Sequence, residues 1–371
     1  MQTANQADKI LIEPMCKQVN IFLVGPGHVG SHLLEQINRQ ASILKDKDSL
    51  EIRIVAIANT KKMSFDFNGI DISNWEKILS ESTENTDLNI FVEKIFSLAS
   101  GNKIFIDCTA SDQVVSKYKK ILESGISIVT PNKKANSGKY EFYDELRKIA
   151  KEKKVKFLYE TNVGAALPVI GTLRDLLYSG DEILEIKGIL SGALSYIFNS
   201  YTNGKPFSQI VKDAQLKGYT EPDPREDMNG LDVARKLLIL SREIGLKIEL
   251  EDIEVENLVP EEIGQNGSVE NFFEKLKKYD KYFEERRNEA FSKGKVLKYV
   301  ATLSNGKIKA GLEEINPEHS FYNLSGSDNI FSIRTKYYDQ QPLVIKGPGA
   351  GTEVTAAGVL SDLIKVSNYL N

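Results

Sequence analysis

The sequence predicts an α/β protein whose first half is a parallel sheet covered by helices on both faces, followed by a second half of α+β character. Three observations predict it. Apolar runs recur at VNIFLVG (19–25), IRIVAIA (52–58), KIFID (103–107) and ISIVT (126–130), separated by segments with helical periodicity, the pattern of strands buried on both faces. A glycine-rich turn directly follows the first run and opens a helix-like stretch, SHLLEQINRQ. Beyond about residue 150 the runs give way to alternating strands and longer helical stretches. With 371 residues the chain is long enough for two or three domains and needs no covalent staple to bury a core.

In chain order, residues 1–18 are polar and non-periodic and read as a loose leader. Helical patterning is expected around Trp75–Ile95 and over 112–123 in the first half. In the second, strands are expected at KFLYE (156–160), EILEIKGIL (182–190), 297–303, 307–314, 330–337 and 342–346, and helices at 168–178, 192–202, 206–217 and 229–244. Residues 270–295 read as one strongly charged helix whose mixed signs mark a solvated face. GTEVTAAGVLSDLIKVSNYL closes the chain as an amphipathic helix. The expected division is a nucleotide-binding half, 19–150, completed by a tail at 341–371, and a substrate half, 151–340.

Composition narrows the function. Lys and Arg number 48 against 52 Asp and Glu, a net charge of −4 without a basic block, so binding to a nucleic-acid backbone is not expected. The two cysteines, Cys16 and Cys108, are far apart, which excludes a disulfide scaffold and a thiolate zinc site. Ile10–Ile12 is too short for a signal peptide and no stretch approaches a membrane span, so the cytoplasm is the expected compartment. Three histidines, His28, His32 and His319, leave proton transfer to carboxylates and lysines.

Gly25-Pro26-Gly27-His28-Val29-Gly30 follows a strand and opens a helix, the setting in which a Rossmann-type dinucleotide site forms. Gly25 permits the tight turn, Gly27 clears space for a pyrophosphate, and Gly30 lets helix and strand approach closely. The second strand ends Ala58-Asn59-Thr60-Lys61-Lys62, with no acid at its tip; Asp46 and Asp48 precede that strand. Lys61 or Lys62 could pair with a 2′-phosphate, which favours NADP over NAD, with both accepted as an alternative and plain exposed turn lysines as another. Cys108, at the end of a strand, is either a buried filler or a thioester nucleophile, and the latter needs an activating histidine.

The richest segment is GYTEPDPREDMNGLDVARK, 218–236. Pro222 and Pro224 stiffen a loop bearing Glu221, Asp223 and Asp227, and the i,i+4 spacing of Asp232 and Lys236 places both on one helix face. Carboxylates can grip an ammonium group and a lysine can protonate a developing alkoxide. Here the chain resembles homoserine dehydrogenase. The resemblance is carried by that segment, the glycine turn, TPNKKA (130–135), TNVGAALPVI (161–170), LSGALSYIF (190–198) and GAGTEVTAAGV (349–359), in the family's order from Val19 onward. The wording is nearest the dehydrogenase part of bifunctional aspartokinase–homoserine dehydrogenases, so the chain is expected to be either a monofunctional enzyme or that portion of a longer one, without threonine control through a regulatory domain.

The resemblance implies reversible conversion between L-aspartate 4-semialdehyde and L-homoserine, on the route to threonine and methionine. It implies proton transfer by Lys236 and a second essential lysine, Lys133. Glu221, Asp232 and Asp227 would bind substrate, and Thr109, Gly218 and Gly351 would lie at the cofactor with the glycine turn, Asn59 and Lys61. It further implies a structural monovalent cation, Na⁺, held by carbonyls of Val163, Ala165 and Leu167 with the Glu160 carboxylate, and a homodimer formed through the second domain. Two rival readings are an aldehyde dehydrogenase acting on an acyl phosphate through Cys108 and a non-catalytic NADP-binding sensor.

Overall fold

The computed structural model describes residues 16–98, 101–202, 204–264 and 266–370. Six strands, β1 (Lys17–Val24), β2 (Leu50–Ala58), β3 (Met63–Phe65), β4 (Asn102–Asp107), β5 (Ser127–Val129) and β6 (Phe157–Leu158), form one sheet in the order β3-β2-β1-β4-β5-β6. All its pairings are parallel except that of the short edge strand β3 with β2. The continuous apolar run of β1 reflects burial on both faces. Val19, Ile21 and Leu23 pack with Leu33 and Ile37 of the helix His28–Asp48 and with Val359 and Leu363 of the helix Thr352–Tyr369, whereas Phe22 and Val24 face Phe105 and Tyr118 on the other side. The last helix thus returns to the first sheet, pinned by Gln36 Nε2 to the Glu353 carbonyl at 2.9 Å and by Lys17 Nζ to Ser367 O at 3.0 Å.

A second sheet, ordered β12-β11-β7-β9-β10-β8, comprises β7 (Ile183–Ile189), β8 (Glu254–Val255), β9 (Val296–Ser304), β10 (Lys307–Ile315), β11 (Asp328–Thr335) and β12 (Leu343–Pro348). Its pairings are antiparallel apart from β10 with β8. The helix Leu231–Glu243 packs on β9 and β10 of the second sheet and on the helices Lys134–Ser137 and Ile170–Tyr178. Its last residue, Glu243, is buried between Arg147 of the first half at 3.4 Å and Arg174 at 2.8 Å. Gly230 begins this helix at φ +74, and a Cβ there would lie 2.0 Å from the Tyr299 hydroxyl. Only glycine lets the helix start this close to β9. No helix among the described residues is long and apolar enough to cross a membrane.

Several elements differ from expectation. β1 begins at Lys17, so residues 17 and 18 of the expected leader are strand; residues 1–15 lie outside the described residues. The stretch around Trp75–Ile95 is two helices, Trp75–Glu81 and Leu88–Ser97. Between them Ser82 Oγ donates to Met63 O, and Met63 N and Thr86 N donate to Glu84 O and Lys61 O, so that segment docks on the β3 edge. The charged helix at 270–295 is also two, Val269–Leu276 and Asp280–Ser292, parted by a 3-10 turn at Lys277–Tyr279. The turn lets Asp280 accept from Ser208 N and Oγ at 2.7 and 2.8 Å. The strand expected at 156–160 shrinks to Phe157–Leu158 because Glu160–Asn162 coils into a 3-10 turn.

Candidate active site

The glycine turn lies at the carboxyl end of β1, beside the ends of β2 and β4. Gly25 has φ +87, and a Cβ there would approach Thr109 Cγ2 to 2.6 Å; one at Gly30 would meet the Gly25 carbonyl oxygen at 2.3 Å. A Cβ at Gly27 meets nothing within 4 Å. Gly27 offers no side-chain cap, so the N–H groups of His28, Val29 and Gly30 are left to an anion at the start of a 21-residue helix. A cleft of about 900 Å³ opens here, lined by Gly25, Gly27, Asn59, Thr86, Thr109 and Lys117. These features fit a dinucleotide pyrophosphate. At the β2 tip, Asn59 Oδ1 accepts from Lys61 N and Lys62 N, both at 2.8 Å, which holds Lys61 on an exposed turn beyond the cleft.

A second cavity, about 800 Å³, is lined by Lys133, Glu221, Asp227, Asp232 and Lys236. A smaller hollow of about 480 Å³ shares Thr109 with the first and Lys133 and Asp232 with the second. Asp232 bridges two lysines: Oδ1 lies 3.0 Å from Lys133 Nζ, brought from the loop after β5, and Oδ2 lies 2.8 Å from Lys236 Nζ, one helical turn on. Lys236 also donates to the Leu190 carbonyl at 2.6 Å. Two of its three N–H bonds are thereby spent within the described residues, leaving one for the cavity. The side chain of Lys236 is 9% exposed. Burial, with the charge of Lys133, holds its pKa below the ordinary 10.5 although Asp232 pulls the other way. Burial works against the charge on Asp232, yet the two ammonium groups outweigh it and hold its carboxyl well below the usual range.

Asp227 Oδ2 accepts from Glu221 N at 2.8 Å, joining the two ends of the acidic loop. Burial pushes the Asp227 pKa up to about 6, the charges of Glu221 and Asp232 adding to it against that bond. Asp223, on the same loop, is outside the site: it is spent on Arg225, whose Nη2 is 2.6 Å away. Gly218 and Gly351, expected at the cofactor, line the lysine cavity rather than the glycine-turn cleft.

Glu160, which the resemblance places beside a cation, has Oε1 accepting from Val169 N and Ile170 N, both at 2.7 Å, and Oε2 from Gly171 N at 2.8 Å. It caps the helix Ile170–Tyr178, which has no side-chain cap of its own at Val169. Leu167 O is likewise engaged by Val169 N at 2.9 Å, whereas the carbonyls of Val163 and Ala165 accept nothing from the described residues. Among those residues no group of three or more His, Cys, Asp or Glu side chains could hold a metal. Burial, and then the charge of Asp107, push the Cys108 thiol well above the usual range, and no histidine hydrogen-bonds to it among the described residues, which favours the filler over the thioester nucleophile.

Asp107 went unnoticed in the sequence. Fully buried at the end of β4, it accepts from Thr109 N at 2.7 Å, Tyr118 Oη at 2.6 Å and Asn132 Nδ2 at 3.0 Å. One carboxylate thus orders both the Thr109 loop and the Lys133 loop. A polar residue ending the apolar run Ile104–Ile106 was its only sequence signal.

A family model for homoserine dehydrogenase matches residues 168–364, and a model for the NAD-binding domain of homoserine dehydrogenase matches residues 25–160. The chain is 41% identical to a homoserine dehydrogenase of Schizosaccharomyces pombe, covering 95% of this chain and 96% of that one. It is 43% identical to bifunctional aspartokinase/homoserine dehydrogenase 2, chloroplastic, of Arabidopsis thaliana over 94% of this chain, which spans 38% of that relative. The chain therefore spans about two fifths of the length of the bifunctional relatives it matches. A hyperthermophilic archaeal homoserine dehydrogenase mutant solved in complex with NADPH superposes with a TM-score of 0.72 at 26% identity, covering 95% of this chain and 99% of that one. The chain belongs to the homoserine dehydrogenase family.

Proposed function

We propose that this chain interconverts L-aspartate 4-semialdehyde and L-homoserine with NADP(H), a step of amino-acid biosynthesis. The observation that carries the proposal is the Asp232 carboxylate shared by Lys133 and Lys236 in a cavity that adjoins the glycine-turn cleft. A bound nicotinamide supplies the hydride in reduction and accepts it in oxidation. Lys236 donates its remaining proton to the carbonyl oxygen in reduction and, deprotonated, takes the hydroxyl proton in oxidation. Asp232 holds Lys236 and Lys133 in register, and Glu221, Asp227 and Asp232 grip the substrate's ammonium group. Gly25, Gly27, His28, Val29 and Gly30 receive the pyrophosphate, with Thr109 and Lys133 beside the nicotinamide end.

The absence of an acid at the β2 tip, with Lys61 on the turn, supports NADP over NAD. Absorbance at 340 nm with homoserine and either nucleotide tests the reaction and the preference together. The expected result is turnover with both and a higher kcat/KM with NADP; Lys61→Ala is expected to cut that advantage by about tenfold, the worth of one charge-assisted bond. No turnover with either nucleotide overturns the proposal and favours the sensor reading.

Asp227 gives a second expectation. Below about pH 6 it binds a proton and ceases to attract the substrate ammonium, so KM for homoserine is expected to rise as pH falls through that value. A KM unchanged from about pH 8 to about pH 5 excludes Asp227 from substrate binding.

A division of labour between a nucleotide-binding half, 19–150 completed from the tail at 341–371, and a substrate half, 151–340, is proposed; the first sheet runs on to β6 and β12 pairs in the second, so what the tail adds to the first half is the helix Thr352–Tyr369. We also propose a homodimer through the second half, where Tyr178, Tyr337 and Val344 are exposed. Na⁺ is proposed as a structural ion at the Val163, Ala165 and Leu167 carbonyls beside Glu160, the first two carbonyls accepting no hydrogen bond from the described residues, and the cytoplasm as the compartment.

A further inference from the structure

Ten residues beyond Asp232 on the same helix, Arg242 is wholly buried, its side chain 0% exposed. Its guanidinium spends every donor. Nη1 donates to the carbonyls of Asn136 at 2.9 Å and Gly138 at 2.8 Å. Nε and Nη2 donate to Ile248 O at 3.1 and 2.9 Å, and Nη2 also to Glu249 Oε2 at 2.9 Å. Five N–H bonds on four acceptor groups match the full capacity of the side chain. Asn136 belongs to, and Gly138 ends, the one-turn helix Lys134–Ser137, for which Lys133 is the N-terminal cap residue. The Lys133 carbonyl accepts from Asn136 N at 2.9 Å and from Ser137 N at 2.8 Å, so the turn moves with it as a unit. Lys133 is therefore placed twice by one helix: at its ammonium by Asp232 and at its backbone by Arg242, roughly 15 Å further along the axis.

We infer that Arg242 is a positioning residue for the reaction: by holding the Asn136 and Gly138 carbonyls it fixes the turn that presents Lys133 and so sets the spacing of Lys133 from Asp232 and Lys236. The need is physical. Lys133 comes from the first half and Lys236 from the second, and a side chain as flexible as lysine loses its geometry unless its backbone is fixed. A misplacement of about 1 Å is enough to cost on the order of 100-fold in rate. The inference rests on the proposed roles of Lys133 and Lys236.

The groups charged toward Lys236 are Asp232, Lys133 and Asp227. Lys133 opposes protonation of Lys236; if it drifts away, Lys236 holds its proton to higher pH, and the alkaline rise of homoserine oxidation moves upward. Arg242→Met is expected to lower kcat on the order of 10–100-fold, to leave NADP affinity unchanged, and to move that rise to higher pH. Arg242→Lys keeps a buried cation but has three donors for four acceptor groups, so it is expected to recover part of kcat and to show a smaller displacement of the same sign. In a Lys133→Met background, Arg242→Met is expected to displace the rise no further, because the group it acts through is gone. If the methionine variant does not fold, the lysine variant in both backgrounds carries the test. The inference is overturned if the rise coincides with that of the parent protein in every folded Arg242 variant, or if the loss of kcat is the same with and without Lys133. If Lys133→Met alone leaves oxidation intact, what fails is the proposed role of Lys133.

Discussion

Replacing Lys236 by alanine is expected to slow both directions of the reaction by roughly 10²–10⁴-fold, or about 3–5 kcal/mol of barrier, with nucleotide affinity unchanged. The reasoning is local. Asp232 and Leu190 O fix the ammonium group and leave one N–H for the cavity, so the proton is in place before the carbonyl oxygen gains charge. Because burial holds the Lys236 pKa below 10.5, its neutral form becomes available at lower pH than in an exposed lysine. Oxidation of homoserine therefore rises with pH through the Lys236 pKa and levels off above it, while reduction falls over the same range. Stopped-flow and steady-state profiles in both directions check the signs. In the alanine variant the rise is expected to disappear. A variant that instead retains kcat and binds NADP poorly makes Lys236 a phosphate contact.

The second large effect is that of Asp232→Asn. The amide keeps the shape but removes the charge between two ammonium groups. Lys133 and Lys236 then repel each other without a mediator, which loosens the spacing of the two ammonium groups. On the order of 100-fold in kcat/KM for homoserine is expected to be lost. The pH profile supplies the sign: the Asp232 charge supports protonation of Lys236, so its removal moves the rise of oxidation to lower pH, opposite to the shift expected for Arg242→Met. A profile that stays in place while activity falls would show that Asp232 acts on the substrate alone.

Much of this fold was legible because its signals are local and redundant. β1 is apolar at every position from Ile21 to Val24 since both faces are covered, and the glycine turn carries a steric requirement at Gly25 and Gly30 that no other residue meets. The breaks were hidden for the opposite reason. Nothing in the periodicity of 270–295 reveals that Asp280 is drawn to Ser208, 72 positions away in sequence. The same holds at the site. The i,i+4 pair of Asp232 and Lys236 is visible on one helix, but Lys133 joins them across 99 residues, and only the family resemblance pointed to it. The capping role of Glu160 was not legible because its partners are three backbone amides with no side-chain signature. Arg242 and Asp107 escaped since an arginine on a helix and an acid at a strand end each look ordinary until their acceptors and donors are located.

The most direct test of the central claim is a crystal structure of the complex with NADP and homoserine, read at one distance. The proposal predicts Lys236 Nζ within about 2.6–3.2 Å of the homoserine hydroxyl oxygen, or joined to it by one ordered water, with the carbon that bears this hydroxyl facing the nicotinamide. A hydroxyl held instead by another side chain, with Lys236 beyond hydrogen-bond reach and no water between them, would contradict it.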